Sequence, residues 1–129
     1  MNILTPVLTD QMIIQKSIEK EANYFAQGDY EKWAACMLQT PLTYYALSTS
    51  FDGKNSKIEA FGWEEISRKI RQEMSSLSES TIYPQARNNF RFNIMEDMAF
   101  VHFSMDNGNE GSCVLEKNDG QWLILRMSL

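Results

Sequence analysis

The sequence predicts an α+β domain in which three helices pack on one face of an antiparallel sheet. Three observations predict it: apolar residues recur at helical spacing before Pro84, four segments alternate as strands after it, and short turn signals join those four, namely Glu96-Asp97, Asn107-Gly108 and Asp119-Gly120. With 43% hydrophobic, 12% aromatic and 22% charged residues, the 129-residue chain has the composition of an ordinary globular protein. Its length suits one domain over residues 1–129.

Along Asp10 to Gln27, Ile14, Ile18, Ala22 and Phe25 fall on one helical face, with Thr9 or Asp10 placed to cap the start and Gly28 to end it. Asp29 caps a second helix over 30–38, whose Tyr30, Trp33, Ala34 and Met37 share a face, and Pro41 forbids its continuation. Leu42 to Ser48 reads as a first strand followed by the Asp52-Gly53 turn signal, and a polar loop comes next. Over 62–77, Trp63, Ile66, Ile70, Met74 and Leu77 mark a third helix, on whose wet side Glu64 and Arg68, and Glu65 and Lys69, are spaced to pair.

The remaining strands are expected at 87–95, 98–106, 111–117 and 121–128. Asn-Gly and Asp-Gly favour two-residue turns, and such turns fix the register of a meander. Arg91 then faces His102, His102 faces Cys113 and Cys113 faces Arg126, a row of four across the sheet. Phe90, Phe92, Ile94, Ala99, Val101, Phe103, Val114, Leu123, Leu125 and Met127 occupy the other face. Phe100, Leu115, Trp122 and Ile124 share the face of the row and need a cover of their own, which a homodimer supplies.

Twelve basic and seventeen acidic residues leave a net charge of −5 with no basic face, which disfavours nucleic acid as a partner. No run approaches the roughly 18 apolar residues of a membrane span. The amino terminus lacks a basic residue before its short apolar stretch, so it does not read as a secretory signal. Cys36 and Cys113 lack C-x-x-C spacing and read as free buried thiols, so the expected location is the cytoplasm. A single histidine excludes multi-histidine zinc sites, and no P-loop, G-x-S-x-G or G-x-G-x-x-G occurs, so neither a metal nor a cofactor is expected.

The order of elements, with EANYFAQGDYEKWAACM, FGWEEISRKI, MAFVHFSMD and the closing DGQWLILRMSL, resembles the nuclear transport factor 2-like superfamily, and in particular its small SnoaL-like bacterial members. The likeness covers nearly the whole chain. It implies a cystatin-like cone, in which a curved antiparallel sheet wraps around helices on one face, often with an apolar pocket at the wide end and with homodimers common. The superfamily includes ketosteroid isomerase, scytalone dehydratase, polyketide cyclases and noncatalytic association domains, so fold alone does not select a function. Many small members carry His on the terminal strand, where this chain has Arg126 and Ser128.

The first functional expectation is binding of a small, largely apolar ligand in the cone, with Arg91, Cys113, Arg126, Tyr44, Trp33 and Trp63 as candidate ligand-binding residues. The second is a polyketide cyclase or isomerase-like enzyme with His102 as general acid or base, since its side chain alone titrates near neutrality. The third is a noncatalytic dimerisation module with a filled interior. Carboxylates scattered over helices and turns read as solvated surface charge.

Overall fold

The computed structural model describes residues 9–51, 54–76, 86–106 and 108–129. Leu77, Pro84, Asn107 and the Asp52-Gly53 turn signal lie outside them. The elements are α1 (Asp10–Gln27), α2 (Tyr30–Ala35), β1 (Tyr44–Phe51), β2 (Lys54–Phe61), α3 (Trp63–Ser75), β3 (Arg87–Met95), β4 (Met98–Met105), β5 (Glu110–Asn118) and β6 (Gln121–Ser128).

The helices begin and end where their caps dictate. Thr9 accepts from the Met12 N–H at 3.2 Å, and Gly28 closes α1 in the left-handed conformation at φ 69°. Asp29 accepts from the Lys32 N–H and starts α2, which ends earlier than the expected residue 38. On α3, Lys69 pairs with Glu65 at 2.9 Å. These helices lie against one side of a six-stranded sheet of order β2-β1-β6-β5-β4-β3. All neighbours are antiparallel except β1 and β6, where Tyr44 pairs with Arg126 in a parallel register.

Strand β2 occupies the stretch expected to be a polar loop. It pairs along the whole of β1 and forms the sheet edge, where Lys57 and Glu59 alternate with Ile58 and Ala60. Charged residues are common on edge strands because they discourage pairing with another chain, and that same polarity hid the strand.

The β3–β4 register matches expectation, with Met95 opposite Met98 and Arg91 opposite His102. Between β4 and β5 the register slips by one, so Ser104 faces Glu110, His102 faces Ser112 and Val101 faces Cys113. The cause is Gly108: its φ of 87° and its N–H bond to the Met105 carbonyl make it the left-handed residue of a three-residue loop, not half of a two-residue turn. Asp119-Gly120 does form the expected tight turn, with both residues at positive φ and Asn118 opposite Gln121. Further along, a bulge shifts the pairing so that Val114 faces Arg126 and Cys113 faces Met127.

These two shifts overturn the expected row. Arg91 and His102 are neighbours, but Ser112 and Ser128 continue across the sheet in place of Cys113 and Arg126. The faces change accordingly: Cys113, Leu115, Trp122 and Ile124 turn inward with Ala99, Val101, Phe103 and Met127, while Val114 and Leu123 do not. Contact between Phe103 and the backbone of Gly111 is so close that a Cβ there would lie 2.2 Å from the ring. Together with Ile14, Ile18, Phe25, Trp33, Tyr45, Ile66 and Ile70, the inward residues form one apolar core.

Candidate functional site

Two charged residues are buried in that core. Glu21 stands on the inward face of α1, in step with Ile14, Ile18 and Phe25, and Arg87 is the first residue of β3. Their side chains are 0% and 1% exposed, and Arg87 Nη1 lies 2.8 Å from Glu21 Oε1. The other carboxylate oxygen, Oε2, accepts from Trp33 Nε1 and from the Tyr45 hydroxyl, each at 2.7 Å. Nη1 also donates to the Ile18 carbonyl at 2.8 Å, and the guanidinium carbon sits 5.4 Å from the Phe103 ring centre.

Among the described residues, three atoms of the pair have no hydrogen-bond partner: Oε1 of Glu21, which has the ion-pair contact but no N–H aligned on it, and Nε and Nη2 of Arg87. Leaving a buried polar group unpaired costs about 1–3 kcal/mol. Nε and Nη2 share one edge of the planar guanidinium, the fork that grips oxygen acceptors two at a time.

Around the pair the walls are aromatic and apolar. Trp33 meets Tyr45 edge-on at 5.4 Å and Phe25 at 6.4 Å, and stacks on Trp63 at 5.9 Å. Burial raises the Tyr45 phenol well above its ordinary value, with the Glu21 charge adding to the effect. Cys113 is buried as expected, whereas Cys36 is only half-buried; burial raises the Cys113 thiol and pushes Cys36 up to about 11 from 9.0.

All three groups are therefore protonated at neutral pH, and the thiols are poor nucleophiles. The raised value of Cys36 favours the folded state fully below pH 9, and that stability is lost as pH rises through about 11. Native protein at pH 8 is expected to react with Ellman's reagent much more slowly than protein in urea, which should show both thiols at once. Equal rates in the two states would contradict the burial.

The residues expected from sequence are divided between inside and outside. Trp33 and Cys113 face the interior, Trp33 as a direct partner of Glu21. Trp63 is half-buried behind Trp33 and borders a surface groove of about 850 Å³ between Thr40-Pro41 and the start of α3. His102, Arg91 and Arg126 are exposed and share the opposite sheet face. There Arg91 pairs with Glu110, and Arg126 lies 4.8 Å over the Tyr44 ring. Tyr44 bonds Glu59 at 2.6 Å, and this bond raises its phenol while lowering the carboxyl of Glu59.

Glu21 and Arg87 were not anticipated. The available signal was the 14-18-21-25 spacing, which sets a carboxylate on an apolar helical stripe. Among the described residues no group of three or more His, Cys, Asp or Glu is arranged to hold a metal.

No protein-family model and no curated protein matches the sequence. Solved structures do match the fold. An NTF2-like family protein from Streptomyces avermitilis, named as a candidate dehydratase, superposes with a TM-score of 0.67 at 13% identity, covering 90% of this chain and 91% of the other. The chain has the NTF2-like fold. A candidate scytalone dehydratase from Novosphingobium aromaticivorans gives 0.65 at 14% identity, covering 92% of this chain and 81% of that one. An NTF2-like protein of unknown function from Shewanella oneidensis gives 0.63 at 16%, covering 93% and 98%. NTF2-like architecture, anticipated from the order of elements, is thereby borne out, and the structures that share it include candidate dehydratases and a protein of unknown function. No described helix is long and apolar enough to cross a membrane.

Proposed function

We propose that this NTF2-like protein binds a small, largely apolar molecule inside the cone and holds its polar end on the Glu21–Arg87 pair. The observation that supports this reading is that, among the described residues, three polar atoms of a fully buried ion pair have no hydrogen-bond partner; a ligand reaches them only when the aromatic side chains packed around them move aside. Buried polar groups in folded proteins are nearly always satisfied, and an unsatisfied cluster lined by aromatic side chains is what a ligand with one polar end completes. The enzyme reading through His102 has less support, because that imidazole lies on the sheet face turned away from the pair. Free Cys36 and Cys113 fit a reducing cytoplasm.

Native mass spectrometry of the purified protein tests the binding reading. One added small-molecule mass per chain is expected, retained in His102→Gln and lost in Arg87→Lys, which removes the guanidinium fork. A bare chain mass in all three proteins would contradict it.

A homodimer formed through the outer sheet face is the second part of the reading. Register lines up Phe100, Val114, Arg126, Tyr44 and Phe61 across five strands, with Phe61 59% and Phe100 37% exposed. Exposed Phe61 and Phe100, in a row with the buried Tyr44 across the sheet, suit an isologous interface, in which each copy presents the same patch. Sedimentation is expected to give a species of twice the 14.9 kDa chain mass, and the double variant Phe61→Glu/Phe100→Glu a monomer. A wild-type monomer at micromolar concentration would refute the dimer.

A further inference from the structure

Beside the buried 14-18-21-25 stripe of α1 runs a second one, in which Ile13, Ser17, Lys20 and Tyr24 recur every three or four residues and so share a helical face. That stripe forms one wall of a groove of about 390 Å³, and Lys32, Cys36, Trp122 and Leu123 line the other side. The volume falls within the roughly 300–1,000 Å³ of small-ligand clefts, and Ile13 to Tyr24 extends about 16 Å along the helix axis. We propose that this groove binds a small amphipathic anion, its carboxylate held by Lys20 and Lys32 and its apolar body laid toward Ile13, Trp122 and Leu123. Neither Glu21 nor Arg87 lines the groove, so the site is independent of the binding role above.

Charge is graded along the groove. Lys20 and Lys32 are its charged lining, and among the described residues no carboxylate belongs to that lining, in a chain whose net charge is −5. Lys20 makes no ion pair among the described residues, and Lys32 has a long, exposed one of 3.8 Å with Asp29. Both ammonium groups belong to the Tyr24 end. Lys32 Nζ stands 5.9 Å from the Tyr24 ring centre, Lys20 is one turn before Tyr24, and its charge opposes the rise that burial and Glu21 impose on the Cys36 thiol. At the opposite end Trp122 Nε1 donates to Asp10 at 3.3 Å and Asp10 faces Lys117 at 3.9 Å, so the polar groups there already have partners. Ile13 is 36% exposed at that end, and Leu123 is half-buried. A carboxylate gains two cations at the Tyr24 end while its chain covers this apolar surface. An ammonium of the same shape is repelled, and a neutral amide gains the apolar contact alone.

The test uses nitrogen-15-labelled protein at pH 7 with hexanoate, hexanamide and hexylammonium, which share a six-carbon chain. The indole N–H of Trp122, assigned by its absence in Trp122→Phe, and the backbone N–H of Gly120 report on the groove. Hexanoate is expected to shift both saturably and to slow alkylation of Cys36. It is expected to bind at least about threefold more tightly than hexanamide and about tenfold more tightly than hexylammonium. In the double variant Lys20→Glu/Lys32→Glu, at two exposed positions, hexylammonium is expected to overtake hexanoate. Equal affinities for the three probes at the same resonances would show an unselective apolar cleft and overturn the anion class. The site itself is overturned if no probe moves the Trp122 or Gly120 signal. It is overturned equally if those signals move with protein concentration alone, as a second copy seated in the groove would cause.

Discussion

Glu21→Ala is expected to lower the free energy of unfolding by about 3–5 kcal/mol, the usual cost of removing one partner from a buried ion pair. Three groups lose a partner together: the Arg87 guanidinium its counter-ion, and the Trp33 N–H and the Tyr45 hydroxyl their acceptor. Domains of this size are stable by only about 5–15 kcal/mol, so the variant should unfold at much lower urea concentration and melt more than about 10 °C below the wild type. Glu19→Ala is the control: on the same helix but exposed, it is expected to change stability by less than about 0.5 kcal/mol. Similar urea midpoints for the two variants would show that the interior carboxylate carries no structural weight.

Trp33→Ala is expected to cost about 3–5 kcal/mol, the range for deleting a large aromatic side chain from a packed core. Its indole is fully buried, contacts Phe25, Tyr30, Tyr45 and Trp63, and supplies one of the two hydrogen bonds to Oε2 of Glu21. Trp33→Phe separates the two contributions, since it keeps most of the packing and removes the N–H. It should lose about 1–3 kcal/mol, the cost of an unmet hydrogen bond to a charged group. Equal losses for Ala and Phe in urea titrations would mean that the hydrogen bond, and not the packing, accounts for the role of Trp33.

Much of the fold was legible because local chemistry marks it. Thr9, Gly28 and Asp29 show where α1 and α2 begin and end, and Asp119-Gly120 sets the last hairpin, since a cap or a tight turn needs only its own few residues. What escaped depended on longer-range geometry. Strand β2 has the polarity of a loop because it is a sheet edge, and only its pairing with β1 makes it a strand. Asn107-Gly108 carries a two-residue turn signal, but the loop around Gly108 holds one residue more, which moves Cys113 from the side of His102 to the interior.

The candidate site was missed for a different reason. Glu21 and Arg87 are 66 positions apart in sequence, and neither belongs to a motif. Treating carboxylates as surface charge is right for most helices and fails at Glu21, whose place on the apolar stripe was the one visible sign. Trp33 and Cys113 were singled out as candidates and do face the interior, whereas His102, Arg91 and Arg126 belong to the outer face that the dimer proposal uses.

Glu21 and Arg87 act as one unit at the polar centre of the fold. A double-mutant cycle in urea measures this directly, using Glu21→Leu, Arg87→Met and the double variant. Each single substitution leaves one charge buried and unpaired, whereas the double leaves none. The double variant is expected to be at least as stable as either single, with a coupling energy above about 2 kcal/mol. Losses that simply add, with the double variant the least stable of the three, would contradict the claim.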